Sequence, residues 1–257
     1  MTQNDPVGQG FGYPADQVTE PCLIYMARVM ELRRFVAFYF EFVKSSSELK
    51  KLIPENGEPE PGTTPFELFE YDHSEYRQFV NQIMLSRAVE SFDLYLTTVL
   101  RDIFLSRPQL LKSEGTVDVS IVIDAASHDD LIWQIVERKV HELSYKSLSD
   151  LRKFVQTRTG IDLFPTEESF EMTILASEIR NLIAHNDCRV NEVFRSKTKS
   201  LKLAAEISDS AFVKIEDEWL QRASYNLDSV VFRFDALALP KFDLKLFNRM
   251  SSFIIRG

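Results

Sequence analysis

A short polar segment in the last third of the chain carries the residue types best suited to chemistry. Residues 178–187 read EIRNLIAHND. A histidine with a pKa near neutrality can take a proton from a ribose 2′-hydroxyl and return one to the leaving oxygen. An arginine can hold phosphate oxygens and stabilise the charge that develops on them. Arg180, Asn181 and His185 are therefore candidate catalytic residues for metal-free RNA cleavage that leaves a 2′,3′-cyclic phosphate.

Helical spacing limits how these three residues can meet. At roughly 100° per residue, Asn181 and His185 lie on one flank of a helix, while Arg180 lies about 140° from His185. A curled arginine side chain, a frayed helix end or a second copy of the helix across a two-fold axis would bring them together. The alternative is a solvated helix flank, with a terminal histidine favoured by the helix dipole.

A basic stretch follows the segment directly. Residues 189–202 read RVNEVFRSKTKSLK and carry a local net charge of +4 in a chain of net charge −9. An RNA backbone track has this composition, and so does a solvated loop, so both interpretations stay open. The candidate RNA-binding residues are Arg189, Arg195, Lys197, Lys199 and Lys202.

Composition excludes several classes of protein. The net charge of −9 argues against a broad basic surface that coats nucleic acid. Two distant cysteines and three scattered histidines outside the segment predict neither a disulfide framework nor a metal site, and no cofactor is expected. The polar N-terminus predicts no secretory signal, and residues 35–43 are too short and too charged to span a membrane. We expect a cytoplasmic protein.

The elements that must position the candidate residues are mainly helices. With 8 glycines and 10 prolines in 257 residues, few positions break helices. Apolar spacing predicts helices over 21–53, 74–106, 128–144, 147–157, 166–186 and 216–238. Thr166 is the expected N-cap of the helix that carries the candidate residues, and Pro240 is the expected stop of the last helix. Alternating residues at 116–124 predict a strand, and a short apolar run at 211–215 allows a second.

The same patterns divide the chain into segments. Residues 54–65 hold four prolines and two glycines and are typical of a linker. We expect a flexible tail at 1–20, an N-terminal helix at 21–53, a linker at 54–73, a helical domain at 74–242 and a C-terminal tail at 243–257.

The run Arg180-Asn181-Leu182-Ile183-Ala184-His185 resembles the R-N-x3-H signature of the HEPN superfamily. Its place late in an amphipathic helix, the helix over 74–106 before it and the stretch RVNEVF after it resemble bacterial members of the RiboL-PSP-HEPN type. The resemblance covers roughly residues 70–242. It implies an antiparallel helical bundle, here with an extra long N-terminal helix and up to two short strands, that forms a homodimer through the motif helix.

What the family implies for function is an endoribonuclease, often a toxin or antiviral effector with an antitoxin or regulatory partner. Arg180 and His185 would be the catalytic pair, with Asn181 beside them and Glu90 and Asn186 as candidate supporting residues. Glu90 could reach across the bundle to orient Arg180, or could lie on an exposed helix face. Toxins paired with a minimal nucleotidyltransferase carry a tyrosine where this chain has Asp187, which argues against neutralisation by that route. The alternative is a non-catalytic HEPN module that binds nucleotide, RNA or a protein.

Overall fold

Long amphipathic segments with few breakers fold into helices, and the computed structural model is mainly helical. It describes residues 17–52, 73–112, 116–206 and 211–248. The strands are β1 (Gln17–Thr19) and β2 (Leu246–Asn248). The helices are α1 (Glu20–Leu52), α2 (His73–Ser106), α3 (Val119–Asp124), α4 (His128–Ser144), α5 (Leu148–Thr159), α6 (Glu167–Asn186), α7 (Glu192–Thr198) and α8 (Asp217–Phe242). The prediction of a mainly α helical bundle is confirmed.

Helix α2 forms the centre of the bundle because it packs against α1, α4, α6 and α8. Each of these helices contributes an apolar stripe at helical spacing to one shared core. Fully buried aromatic rings fill this core, among them Phe92 and Phe104 of α2 and Phe234 of α8. The most apolar part of α1 behaves differently, since Phe35, Phe38 and Phe42 remain exposed. None of the helices among the described residues combines the length and the hydrophobicity that a membrane span requires.

Three local predictions are wrong. Residues 116–124 form no strand, because Asp118 caps a short helix by accepting a hydrogen bond from the Ser120 N–H, and α3 follows. Pro240 does not stop α8, which continues to Phe242. A proline in the last turn removes a single N–H, and the helix ends where Asp243 adopts a left-handed conformation with φ of 52°. The run at 211–215 forms an isolated bridge between Arg189 and Phe212 rather than a strand.

The inner ends of both expected tails are paired with each other. β1 and β2 form a two-stranded antiparallel sheet in which Gln17 lies opposite Asn248 and Thr19 opposite Leu246. The predicted tail at 1–20 therefore contains β1 and the first residue of α1, and the predicted tail at 243–257 contains β2. Residues 1–16 and 249–257, and the linker predicted at 54–73 apart from His73, lie outside the described residues.

Buried carboxylates of α8 join the N-terminal elements to the bundle. Asp235 accepts hydrogen bonds from the Thr19 N–H at 3.1 Å, from the Thr19 hydroxyl and from the Tyr95 hydroxyl. Two turns earlier, Asp228 accepts from the Tyr25 hydroxyl at 2.8 Å and from Arg33 at 2.5 Å. Because the protein supplies the donors that water would otherwise give, these charges can lie in the core.

Candidate functional site

Helix α6 is positioned by its cap and by its apolar stripe. The Thr166 hydroxyl accepts a hydrogen bond from the Ser169 N–H, as the sequence predicts for an N-cap. The buried face then recurs every three or four residues at Met172, Leu175, Ile179 and Leu182. Since that face is turned into the core, the neighbouring positions 180 and 181 lie at its edge and are half-buried.

That edge of α6 forms one wall of an open cleft of about 630 Å³. The opposite walls come from α2, from the end of α4 and from the turn into α5. Arg180 and Asn181 both line the cleft, and the Arg180 guanidinium donates a hydrogen bond to the Asn181 Oδ1 at 3.3 Å. The remaining lining is largely apolar on α2 and α4 and rich in serine at residues 144–149. The structure therefore brings two of the three candidate catalytic residues to one concave surface.

His185 lies away from this surface. It is exposed in the last turn of α6 and is not among the described residues that line the cleft. The cleft thus groups Asn181 with Arg180, whereas helical spacing predicted Asn181 on the flank of His185. The helix ends directly beyond it, where Asp187 and Cys188 both adopt left-handed conformations with φ of 49° and 57°. The Asn186 side chain stabilises this turn, since its Nδ2 donates a hydrogen bond to the Arg189 carbonyl at 2.5 Å.

The carboxylate that faces Arg180 is Asp93 rather than Glu90. Glu90 pairs with Arg87 on its own helix at 2.9 Å. Asp93 lies almost one turn further along α2 and lines the cleft. The surrounding walls restrict its hydration and raise its pKa from 3.8 to about 6, while Arg180 lowers this pKa and Glu90 raises it.

Asp93 still reaches solvent through the mouth of the cleft. The sequence contains a signal that could have identified Asp93 as a site residue. Asp93 falls within the apolar stripe of α2 formed by Val89, Leu96 and Leu100, where a charged residue is out of place. Which of the acidic residues of α2 faces α6 depends on tertiary packing, which helical spacing alone does not give.

The basic stretch is partly occupied by contacts within the chain. Lys197 Nζ forms an ion pair with Glu178 of α6 at 2.9 Å, and the backbone N–H of Lys202, not its side chain, donates to Glu171 at 3.0 Å. The Arg189 guanidinium lies over the Phe212 ring at 5.2 Å. Arg195 and Lys199 are exposed on or just beyond α7. The segment thus packs α7 against α6, with several of its cations still accessible to solvent.

The described residues contain no group of three or more histidine, cysteine, aspartate or glutamate side chains arranged to hold a metal ion. Comparison of the chain with protein-family models, curated proteins and solved structures found no match.

Proposed function

We propose that this protein is an endoribonuclease of the HEPN type that cleaves RNA by attack of a ribose 2′-hydroxyl. His185 takes the proton of that hydroxyl as the 2′-oxygen bonds to phosphorus. The bond from phosphorus to the 5′-oxygen then breaks, and this oxygen receives a proton from the imidazolium. Arg180 stabilises the charge that develops on the non-bridging oxygens, and Asn181 orients Arg180. The products are a 2′,3′-cyclic phosphate and a 5′-hydroxyl.

The observation that carries the proposal is the position of the motif on α6. Arg180 and Asn181 line a cleft at the half-buried edge of the helix, and His185 is exposed one turn later. A nuclease needs both groups near one phosphate, and within one helix they diverge. A second copy of α6 across a two-fold axis would place its His185 beside the Arg180 of the first. We therefore propose a homodimer that contacts through α6.

Exposed cations support RNA as the substrate. Arg189, Arg195 and Lys199 lie in the segment that follows His185, where a phosphate backbone leaving the site could pass. A role as a toxin or antiviral effector, with an antitoxin or other regulatory partner, follows from the family resemblance.

One observation favours the alternative, a non-catalytic module that binds nucleotide, RNA or a protein. Arg180 and Asn181 line the cleft without His185, so the cleft can hold a ligand that the histidine does not touch. In that case the histidine is a solvated residue at a helix end.

The two functions are separated by one assay. RNA oligonucleotides are incubated in EDTA with the parent, with His185→Ala and with His128→Ala, a control whose histidine is 82% exposed at the start of α4. We expect cleavage with cyclic phosphate ends by the parent and by the control, and a loss of at least about 100-fold for His185→Ala. Equal cleavage by all three proteins would exclude His185 as the acid–base group. RNA binding without cleavage by any of them would favour the alternative.

The dimer is tested by sedimentation of the parent and of a variant with a larger side chain at an exposed position of α6, Ala184→Arg. We expect the variant to be monomeric and inactive. A fully active monomer would contradict the shared site.

A further inference from the structure

The cleft holds two opposite charges that face the same space without pairing. Arg180 is near enough to Asp93 to lower the pKa of its carboxyl group. Within the described ranges, however, neither group takes part in an ion pair shorter than 4 Å. The lysines that line the cleft differ, since Lys146 pairs with Glu142 at 3.1 Å and Lys197 pairs with Glu178 at 2.9 Å. Asp93 and Arg180 are thus the charged groups that a ligand between them could engage.

The rest of the lining suits a flat, partly apolar molecule. The buried aliphatic side chains of Val89, Leu96 and Leu100 of α2 line the cleft beside Asp93. Tyr145, in the turn into α5, also lines the cleft; this residue is 79% exposed, and its ring lies edge-on against His141 at 5.0 Å between centroids. An exposed aromatic ring at the rim offers a surface on which a nucleobase can stack. A volume of about 630 Å³ lies within the usual range for small-ligand sites.

The carboxylate selects among the bases by its hydrogen-bonding capacity. An ionised carboxylate is an acceptor at both oxygens and has no donor. Guanine presents two adjacent donors, N1–H and the N2 amino group, which match two oxygens side by side. Adenine and cytosine each place a ring-nitrogen acceptor next to their amino group, and uracil flanks its single N–H with two carbonyls. These three bases would bring a lone pair against the negative charge.

We propose that the cleft is a guanine site, in which Asp93 accepts from N1–H and N2–H of the base and Arg180 holds the phosphate attached to that nucleoside. If the ligand is RNA, Asp93 determines specificity for the guanosine next to the cleaved bond; this interpretation rests on the proposed function. A free guanine nucleotide offers the same groups.

The test begins with binding, which needs no cleavage. The full chain is titrated calorimetrically with the 5′-monophosphates of guanosine, adenosine, cytidine and uridine at pH 7.5. We expect guanosine monophosphate to bind at least about tenfold more tightly than the other three, because a bidentate contact discriminates between bases by this much. Equal affinity for all four, or no binding of any, overturns the proposal without any variant being made.

Asp93→Asn then assigns the discrimination to one side chain. It replaces an acceptor oxygen by a donor amide, so the preference for guanosine monophosphate should be lost while the protein stays folded. Asp124→Asn, at an exposed carboxylate of α3, is the matched control and should bind as the parent does. A guanine preference unchanged in Asp93→Asn overturns the assignment.

Cleavage of RNAs with guanosine at a single varied position separates RNA from the free nucleotide. Cleavage next to guanosine by the parent, and without base preference by Asp93→Asn, places the base of the RNA in the cleft. Nucleotide binding through Asp93 without RNA cleavage supports a site for the free nucleotide and counts against the nuclease. Cleavage without base preference by the parent, together with absent nucleotide discrimination, overturns the guanine site and leaves the nuclease intact.

Discussion

Replacing Asp93 with asparagine is expected to stabilise the fold at neutral pH. The walls of the cleft restrict hydration of this carboxyl group, and the charge of Glu90 adds to the effect, so its pKa rises to about 6 in spite of Arg180. The folded protein therefore binds a proton here between about pH 4 and pH 6, where the unfolded chain has already lost it. Stability must fall as the pH rises through that range, because ionisation is less costly in the unfolded state.

The size of the effect follows from the two pKa values. The difference between 3.8 and about 6 corresponds to about 3 kcal/mol if the full shift acts on stability. Asp93 is solvent-exposed over part of its surface, so screening reduces the effect, and we expect about 1 kcal/mol. The asparagine is neutral at every pH and avoids this cost. The variant should gain about 1 kcal/mol over the parent at pH 7.5 and nothing at pH 4.

The measurement is urea unfolding of the parent, Asp93→Asn and Asp124→Asn at pH 4 and pH 7.5. Charges that face Asp93 contribute to the result: Glu90 on its own helix, Arg180 and Glu178 on α6, Lys197 on α7 and Lys146 in the turn before α5. Parent and variant share every titratable group except Asp93. The difference between their free energies of unfolding therefore measures the contribution of Asp93. A variant less stable than the parent at pH 7.5 would show that the carboxylate has a favourable partner, and the reasoning would fail.

Two further substitutions test what stabilises the C-terminal end of α6 and the attachment of β1 to α8. Asp187→Gly should stabilise the protein by about 0.5–1 kcal/mol, because glycine adopts the left-handed conformation without strain and removes a negative charge from the C-terminus of α6. A loss of stability in thermal unfolding would mean that the Asp187 side chain itself stabilises the corner. Asp235→Ala should cost about 2–4 kcal/mol, because the Thr19 N–H and hydroxyl would be left buried and unpaired. The Tyr95 hydroxyl would keep the Val231 carbonyl as its acceptor. Urea unfolding measures this loss, and amide exchange should speed up most at β1; uniform exchange rates would contradict a local anchoring role.

The sequence is sufficient to predict the motif helix because the signals for it are local. A threonine cap, acidic residues in the first turn and an apolar stripe all lie within residues 166–186, and each appears in the structure as expected. The strand prediction at 116–124 was wrong because a strand, unlike a helix, cannot be predicted from local signals alone. Alternation over a few residues indicates a strand only when a partner strand and a core face exist, and in the helix that forms instead Val119 and Ile123 are exposed.

Features set by distant parts of the chain could not be predicted in this way. The pairing of β1 with β2 joins residues more than two hundred positions apart, and neither three-residue strand carries a periodic pattern. The choice between Glu90 and Asp93 as the carboxylate beside Arg180 depends on the rotation of α2 against α6. Helical spacing also grouped Asn181 with His185, whereas the Arg180 guanidinium reaches Asn181 and His185 is not among the residues that line the cleft.

The small sheet also determines how the molecule would respond to being pulled. Gln17 and Asn248 lie opposite each other at its outer end. A force applied through these two residues opens the strand pairs one after another, as a zipper opens, so no set of bonds shares the load. The first firm resistance comes at Thr19, which is held to α8 through Asp235. Mechanical strength at this point of the fold is therefore set by two hydrogen bonds to one carboxylate, while the sheet itself yields early.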